Sequence, residues 1–152
     1  MLNCVYRVRF GKSSFELNEE YDRLSDYEKE RISDLDAESF FDCDDVDGNY
    51  VCYVITDPME IKAYLGILSN NLIKVVCDDL SKDILKSKIN LEEELESEIN
   101  TMNSVKYSFF IDDLDEWIYR NLDMDTVLDR ISESGMDSLT DMEKLFLMNF
   151  NN

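Results

Sequence analysis

The chain opens with the period of a strand. Apolar and charged positions alternate through Cys4-Val5-Tyr6-Arg7-Val8-Arg9-Phe10, which predicts a strand over 3–10. Gly11-Lys12 offers a turn, so residues 13–17 are expected to return as the second arm of a hairpin. Ser25-Asp26-Tyr27-Glu28 has the form of a capping box and predicts a short helix near 26–35, with Ile32 and Leu35 inward. Residues 36–49 read as an acidic loop. Tyr50-Val51-Cys52-Tyr53-Val54-Ile55-Thr56 is a β-branched and aromatic run, the composition of a well-buried strand. Asp57-Pro58-Met59-Glu60 then starts a helix. Asp57 caps it, Pro58 takes the first helical position where its missing N–H costs nothing, and Glu60 favours the positive end of the dipole. Ile61, Tyr64, Leu65 and Leu68 supply its apolar face, and Asn70-Asn71 is expected to end it in a left-handed cap. Residues 72–77 read as the next strand.

Further on, Ser81 is placed to cap a short helix holding Ile84 and Leu85. Asn90 opens a helix near 91–102 in which Leu91, Leu95, Ile99 and Met102 form a stripe among glutamates. Val105-Lys106-Tyr107-Ser108-Phe109-Phe110-Ile111 reads as another strand, and Asp112-Asp113 as the cap of a helix with Leu114, Trp117 and Ile118. Two short helices, near 124–133 and 140–150, finish the chain. Gly135 separates them, and Thr140 with Glu143 forms a second capping box. The last four residues, 149–152, are polar around one Phe and are expected to fray.

Together these elements predict an α+β fold: a small mixed sheet with a strand–helix–strand unit at about 50–77, flanking helices and a C-terminal helical pair. Residues 1–122 are expected to form one acidic domain. Residues 123–152 would be a helix–Gly–helix appendage packed on it.

Charge changes the picture more than length does. The 152 residues carry 35 acidic and 15 basic side chains, no histidine and a net charge of −20. Residues 1–15 carry +3, residues 16–47 carry −11, and residues 48–77 are neutral. Residues 78–103, 104–125 and 126–152 carry −5, −4 and −3. A protein that binds nucleic acid by neutralising phosphates needs the opposite balance. The amino terminus reads as a strand and not as a secretory signal, and no stretch approaches the roughly 20 apolar residues of a spanning helix. The expected compartment is therefore the cytoplasm, without membrane contact. Two Ala and one Pro beside abundant Ile, Asn and Lys suggest an AT-rich bacterial genome, or one of its phages or mobile elements.

The stretch Val127-Leu128-Asp129-Arg130-Ile131-Ser132-Glu133-Ser134-Gly135-Met136-Asp137-Ser138-Leu139-Thr140-Asp141-Met142-Glu143-Lys144-Leu145-Phe146-Leu147 resembles a short helical tail. Such tails end Bacteroidetes proteins, rhomboid-like membrane proteases among them. Their pattern is approximately L-L-D-K-I-S-x-x-G-x-x-S-L-T-x-x-E-x-x-F-L. The resemblance covers 21 of 152 residues and implies a source phylum and a portable helix–Gly–helix module. It carries over no catalytic role, and the rest of the chain lacks the membrane segments of a rhomboid.

Candidate chemistry is sparse. Without histidine, Ser-His-Asp and Cys-His machinery is excluded. Four glycines, Gly11, Gly48, Gly66 and Gly135, form no phosphate-binding loop. Cys4, Cys43, Cys52 and Cys77 have no C-x-x-C spacing and read as small buried hydrophobes. Asp42-Cys43-Asp44-Asp45-Val46-Asp47-Gly48 resembles a calcium loop. Aligning Gly48 to the sixth position puts Cys43 at the first and Val54 at the twelfth, where carboxylates are required. An acidic surface loop is the better reading. Asp112, Asp113, Asp115 and Glu116 after a strand, with Asp78 and Asp79 after the preceding one, match the carboxylates of a divalent-metal phosphodiesterase only if they converge. Helix capping explains them more simply.

The expected function is therefore non-enzymatic: an acidic interaction protein that binds and blocks a basic surface of a partner. Immunity, antitoxin-like and phage anti-defence inhibitors have this profile, and the partner would be a basic protein such as a nucleic-acid-processing enzyme or toxin. No cofactor or metal is expected. The candidate contact residues are Tyr21, Asp22, Asp26, Tyr27, Phe40, Phe41, Asp42, Asp44, Asp45 and Asp47, where aromatic anchors sit among carboxylates. Two alternatives stand beside it: an accessory or adaptor domain whose charge serves only solubility, and the metal phosphodiesterase using Asp78, Asp79, Asp112 and Asp113.

Overall fold

The computed structural model describes residues 3–98 and 105–150. In chain order the elements are β1 (Cys4–Arg9), α1 (Ser14–Asp22), α2 (Asp26–Ser33), β2 (Ala37–Asp44), β3 (Tyr50–Thr56), α3 (Pro58–Asn70) and β4 (Val76–Asp79). There follow α4 (Ser81–Leu85), α5 (Leu91–Glu98), α6 (Val105–Asn121), α7 (Met124–Ser134), a 3-10 turn at Met136–Ser138, and α8 (Asp141–Phe150). The fold is α+β, with a four-stranded sheet in the order β2-β3-β1-β4.

The strand–helix–strand unit is present, but β1 lies inside it. β1 pairs antiparallel with β3, Cys4 opposite Thr56 and Arg9 opposite Val51, and also with β4, Tyr6 opposite Asp79. β3 and β4 therefore run parallel to each other without touching, and every adjacent pair is antiparallel. The mixed sheet expected from the sequence is thus an antiparallel one.

Strand alternation sends successive side chains to opposite faces, and both faces here are covered. On one face Val5, Val51, Tyr53, Ile55 and Phe41 pack against Phe110, Ile111, Leu114 and Trp117 of α6, with Ile84 of α4 and Leu91 and Leu95 of α5. On the other, Cys4, Tyr6, Val8, Cys52 and Val54 meet Leu17 of α1 and Ile61, Tyr64 and Leu68 of α3. The result is three layers, helices on each side of one sheet. A third, smaller cluster joins Leu122, Val127 and Leu139 with Ile118, Met142 and Phe146, and packs the C-terminal module on α6.

Several expectations are corrected. Residues 105–111 are not a strand; they are the first two turns of α6. Tyr107, Phe110, Ile111, Leu114 and Trp117 are its buried residues, at helical spacing, so tertiary burial overrides the local preference of Tyr, Phe and Ile for strands. Asp112 and Asp113 consequently lie mid-helix and cap nothing. Residues 13–17 do not return as a hairpin arm. The Ser13 hydroxyl accepts from the Glu16 amide and starts α1, which buries Leu17. Residues 37–44 are a strand, not an acidic loop: Phe41 and Cys43 face the core while Glu38, Phe40, Asp42 and Asp44 are exposed. The fourth strand starts at Val76, later than expected. The helix expected over 91–102 is described as Leu91–Glu98; Ile99 and Met102 lie outside the described residues, as do residues 151 and 152. Residues 149 and 150, expected to fray, belong to α8. At the end of α3 it is Leu72, φ 60°, and not an asparagine, that takes the left-handed conformation.

Two C-terminal caps are as expected: Gly135, φ 82°, ends α7, and the Thr140–Glu143 box is closed in both directions. The structure adds a third, Asp123, which accepts from the Thr126 amide at 2.7 Å. Glu143 then does more than cap. Its side chain is 1% exposed, and Arg130 Nε lies 3.4 Å from it, tying α7 to α8. A buried carboxylate is tolerable only with such partners.

Trp117 is fully buried on the α6 face, and its indole N–H donates to the Asn3 carbonyl at 2.9 Å, pinning the chain just ahead of β1. Truncating a buried Trp removes apolar burial, opens a cavity and here orphans a carbonyl. Trp117→Ala is expected to lower unfolding free energy by about 3–5 kcal/mol, measured by urea denaturation followed by circular dichroism.

Candidate apolar cavity on the acidic side of the sheet

α2 explains the main feature of this face. Its sequence, Asp-Tyr-Glu-Lys-Glu-Arg-Ile-Ser, contributes no buried residue, and Ile32 is only half-buried. A helix so poor in apolar side chains cannot fill the space over β2 and β3. Between them stays a cavity of about 460 Å³. Ile32 and Leu35 form its outer wall, Phe40, Cys52 and Val54 its sheet side, and Ile61 of α3 its far wall.

Hydroxyl groups line the remainder. The Tyr21 and Tyr64 hydroxyls are hydrogen-bonded at 3.0 Å, joining α1 to α3, and Tyr50 donates to Asp42 Oδ2 at 2.8 Å. Thr56 donates to the Asp36 carbonyl at 2.6 Å, and Glu60 accepts from the Asp36 amide at 3.3 Å. Burial raises the pKa of Tyr21, Tyr50, Cys52 and Tyr64. All four therefore keep their protons at neutral pH, and the floor is uncharged but polar at its hydroxyls. α2 is held over it from one end: Asn71 donates to Glu28 at 2.7 Å, and this bond, with those to Ser25, lowers the Glu28 pKa.

The ten residues singled out from the sequence divide among several places. Tyr21 and Phe40 line the cavity, Phe40 with half its surface exposed, and Asp42 reaches it through Tyr50. Asp22 ends α1, and its carbonyl accepts from Lys29 at 3.4 Å. Asp44 accepts from Ser14 at 3.1 Å, which sets the start of α1 beside the end of β2. Asp26 and Tyr27 open α2 and are exposed, but neither lines the cavity. Phe41 is withdrawn from the set: it is 3% exposed and packs on the opposite face against Tyr107 and Phe110, because a strand turns consecutive residues to opposite sides. Ile32, Leu35, Tyr50, Cys52, Ile61 and Tyr64 were not singled out as site residues; the weakly apolar α2 beside a strongly apolar strand was the available signal.

Asp45 and Asp47 sit in the β2–β3 turn. Asp45 Oδ1 accepts from the amides of Asp47 at 2.9 Å and Asn49 at 3.0 Å, and Gly48 has φ 79°. The carboxylate at the third position of the would-be cation loop is thus engaged in an Asx-type turn. The phosphodiesterase carboxylates do not converge either. Asp78 pairs with Arg7 and Arg9, Asp79 accepts from the Ser81 amide, and Asp112 and Asp113 belong to α6. Among the described residues no group of three or more Cys, Asp or Glu is arranged to hold a metal ion. The cysteines form no disulfide; Cys4 and Cys52 are buried, and Cys43 and Cys77 partly so. Burial, then Asp78 and Asp79, pushes the Cys77 thiol up to about 11. Among the described residues no helix is long and apolar enough to cross a membrane. No family model, curated protein or solved structure matches the chain.

A second groove, of about 590 Å³, separates α5 and α6 from the C-terminal module. Glu92 of α5, Asp115 of α6 and Asp141 of α8 line it. Arg130, the cation on its wall, is engaged with Glu143. Partial burial, then the neighbouring carboxylates, raises the pKa of Glu92 and of Asp115. A group with a raised folded pKa contributes stability below its unfolded pKa and loses that contribution as pH rises through the folded value. Asp115→Asn is therefore expected to raise the melting temperature at pH 7. The advantage should vanish near pH 4, about where an ordinary Asp protonates, in parallel thermal melts of variant and parent.

Proposed function

We propose that the chain is a non-enzymatic binding protein that docks on a basic surface of a partner protein and blocks it, in the manner of an immunity, antitoxin-like or anti-defence inhibitor. The observation that carries this reading is the placement of the cavity. Its outer wall and β2 edge belong to residues 16–47, the segment with a net charge of −11. Leu35 is flanked by exposed Asp34 and Asp36, Tyr21 is followed by exposed Asp22, and half-exposed Phe40 stands two residues from exposed Asp42. Three cations, Arg23, Lys29 and Arg31, oppose fourteen carboxylates in that segment. Acidic charge around an apolar recess is the arrangement of an interface in which charge sets the encounter rate and an apolar contact sets the lifetime.

The division of labour is testable with a basic partner recovered by affinity capture at low salt and then purified. Association is expected to slow by about 10-fold or more as salt rises toward 1 M, where the screening length falls to about 3 Å. Replacing Asp22, Asp26 and Asp47 by Asn should slow association further at low salt and change dissociation little, measured by surface plasmon resonance. Association rates indifferent to ionic strength, or no basic partner at low salt, would overturn the reading.

A further inference from the structure

We propose that the cavity between α2, β2 and α3 receives a single apolar side chain, aliphatic or aromatic, carried on a Lys/Arg-rich segment of the partner. This rests on the reading of the chain as a binder of basic proteins and adds the group that the site selects.

The walls are mostly carbon: Ile32, Leu35, Phe40, Val54 and Ile61 present aliphatic and aromatic surface. About 460 Å³ is room for a large side chain and the stem of its neighbour, and too little for a folded element. The polar groups on the floor are largely engaged with one another. The Tyr21 and Tyr64 hydroxyls are paired, Tyr50 is bonded to Asp42, and Thr56 to the Asp36 carbonyl. An entering side chain is thus not asked to satisfy them, and an apolar one leaves no donor orphaned. A charged head group would have to shed its water against these walls, so Lys and Arg are excluded from the interior. They belong at the mouth, where Glu60 lies on the wall and Asp34, Asp36 and Asp42 stand beside the lining residues. Charge complementarity therefore fixes the flanks of the occupant, and wall chemistry fixes its centre.

Ala37 offers a way to narrow the cavity without touching charge. It lies at the start of β2 opposite Thr56, its side chain is half-buried, and it lines the cavity. Ala37→Leu adds three carbons to that wall, and Ala37→Met is a second, more adaptable filler should Leu disturb the strand. Thermal melts identify which variant folds.

The probes are four synthetic nonapeptides: lysine-rich with a central Leu, Phe or Ala, and a neutral serine-rich peptide with the central Leu. Binding is read by isothermal titration calorimetry and by amide chemical shifts of Phe40, Val54 and Ile61. The Leu and Phe lysine peptides are expected to bind about 10- to 100-fold more tightly than the Ala peptide, as full burial of such a side chain allows. They should shift the three reporter amides, and the folded Ala37 variant should reduce the preference severalfold while keeping the weak, salt-sensitive binding of the Ala peptide. If all three lysine peptides bind equally and remain salt-sensitive, the anchor proposal fails and the charge reading survives. Equal binding of the neutral Leu peptide at every salt concentration would make the cavity a site for uncharged apolar ligands and overturn the proposal. Lysine peptides that do not bind at all at low salt would remove both readings.

Discussion

The fold depends on β1 being covered on all four sides. It pairs with β3 along one edge and β4 along the other, and its alternate residues feed both cores, Val5 on one face and Cys4, Tyr6 and Val8 on the other. A strand so enclosed has every backbone group satisfied by neighbours and cannot be reached until both neighbours are in place. Its position between β3 and β4 also dictates the path of the chain. β3 and β4 are joined through α3 and run parallel, and β1 fills the gap between them, antiparallel to both. Arg7 marks where the pattern meets a charge: it faces Asp78 at 3.5 Å and Glu94 at 3.6 Å, so the cation in the central strand joins β4 to α5. Asp78, one of the carboxylates that sequence spacing offered for metal chemistry, is thereby part of the frame.

The two faces of the sheet are covered unequally, and the inequality creates the site. α6 brings five buried residues, from Tyr107 to Trp117, and closes its face. Opposite it, α3 brings three and α1 one, while α2 brings none. What holds α2 in place is only in part apolar: half-buried Ile32 packs on the core cluster, and the Asn71–Glu28 hydrogen bond ties the start of the helix to the end of α3. Polar anchorage positions a helix without requiring the space beneath it to be filled, which a hydrophobic contact would require. The cavity is therefore a consequence of α2's composition, and the same acidic composition surrounds its mouth with charge.

Legibility followed how far each element's own residues determine it. β3, α3 and the C-terminal caps rest on local signals, a β-branched run, an Asp-Pro start, a glycine stop, and they lie close to where the sequence places them. α6 and β2 are decided by what they face. Phe109-Phe110-Ile111 carries strand composition, yet α6 forms because Tyr107, Phe110, Leu114 and Trp117 meet the sheet at helical spacing. Residues 37–44 carry the charge of a loop, yet Phe41 and Cys43 alternate into the core. Aromatic and acidic residues could be assigned to a common surface from sequence, but the side each faced could not. Phe40 and Phe41 are adjacent in the chain and separated by the sheet. Cys52 comes to the acidic segment by β2–β3 pairing, opposite Asp42, and Tyr64, farther along the chain, through α3 packing on the sheet.

The distribution of charge follows from the same geometry. A net charge of −20 on 152 residues repels itself wherever carboxylates are brought close in a shielded place. β3 and α3 avoid this because residues 48–77 carry no net charge. The excess is displaced to elements with little to bury. One share lies in residues 16–47, on α1, α2 and the exposed side of β2. Another lies along the groove beside the C-terminal module, lined by Glu92, Asp115 and Asp141, where partial burial first and the neighbouring carboxylates second raise the pKa of Glu92 and Asp115. The two acidic surfaces differ in kind. The groove is wide and polar, and its carboxylates act on one another across a helix junction. The recess over β2 and β3 is apolar inside and acidic outside, so its charge points outward, toward whatever approaches. That difference, rather than the size of the net charge, is what distinguishes the α2 side of the sheet from the groove beside the C-terminal module.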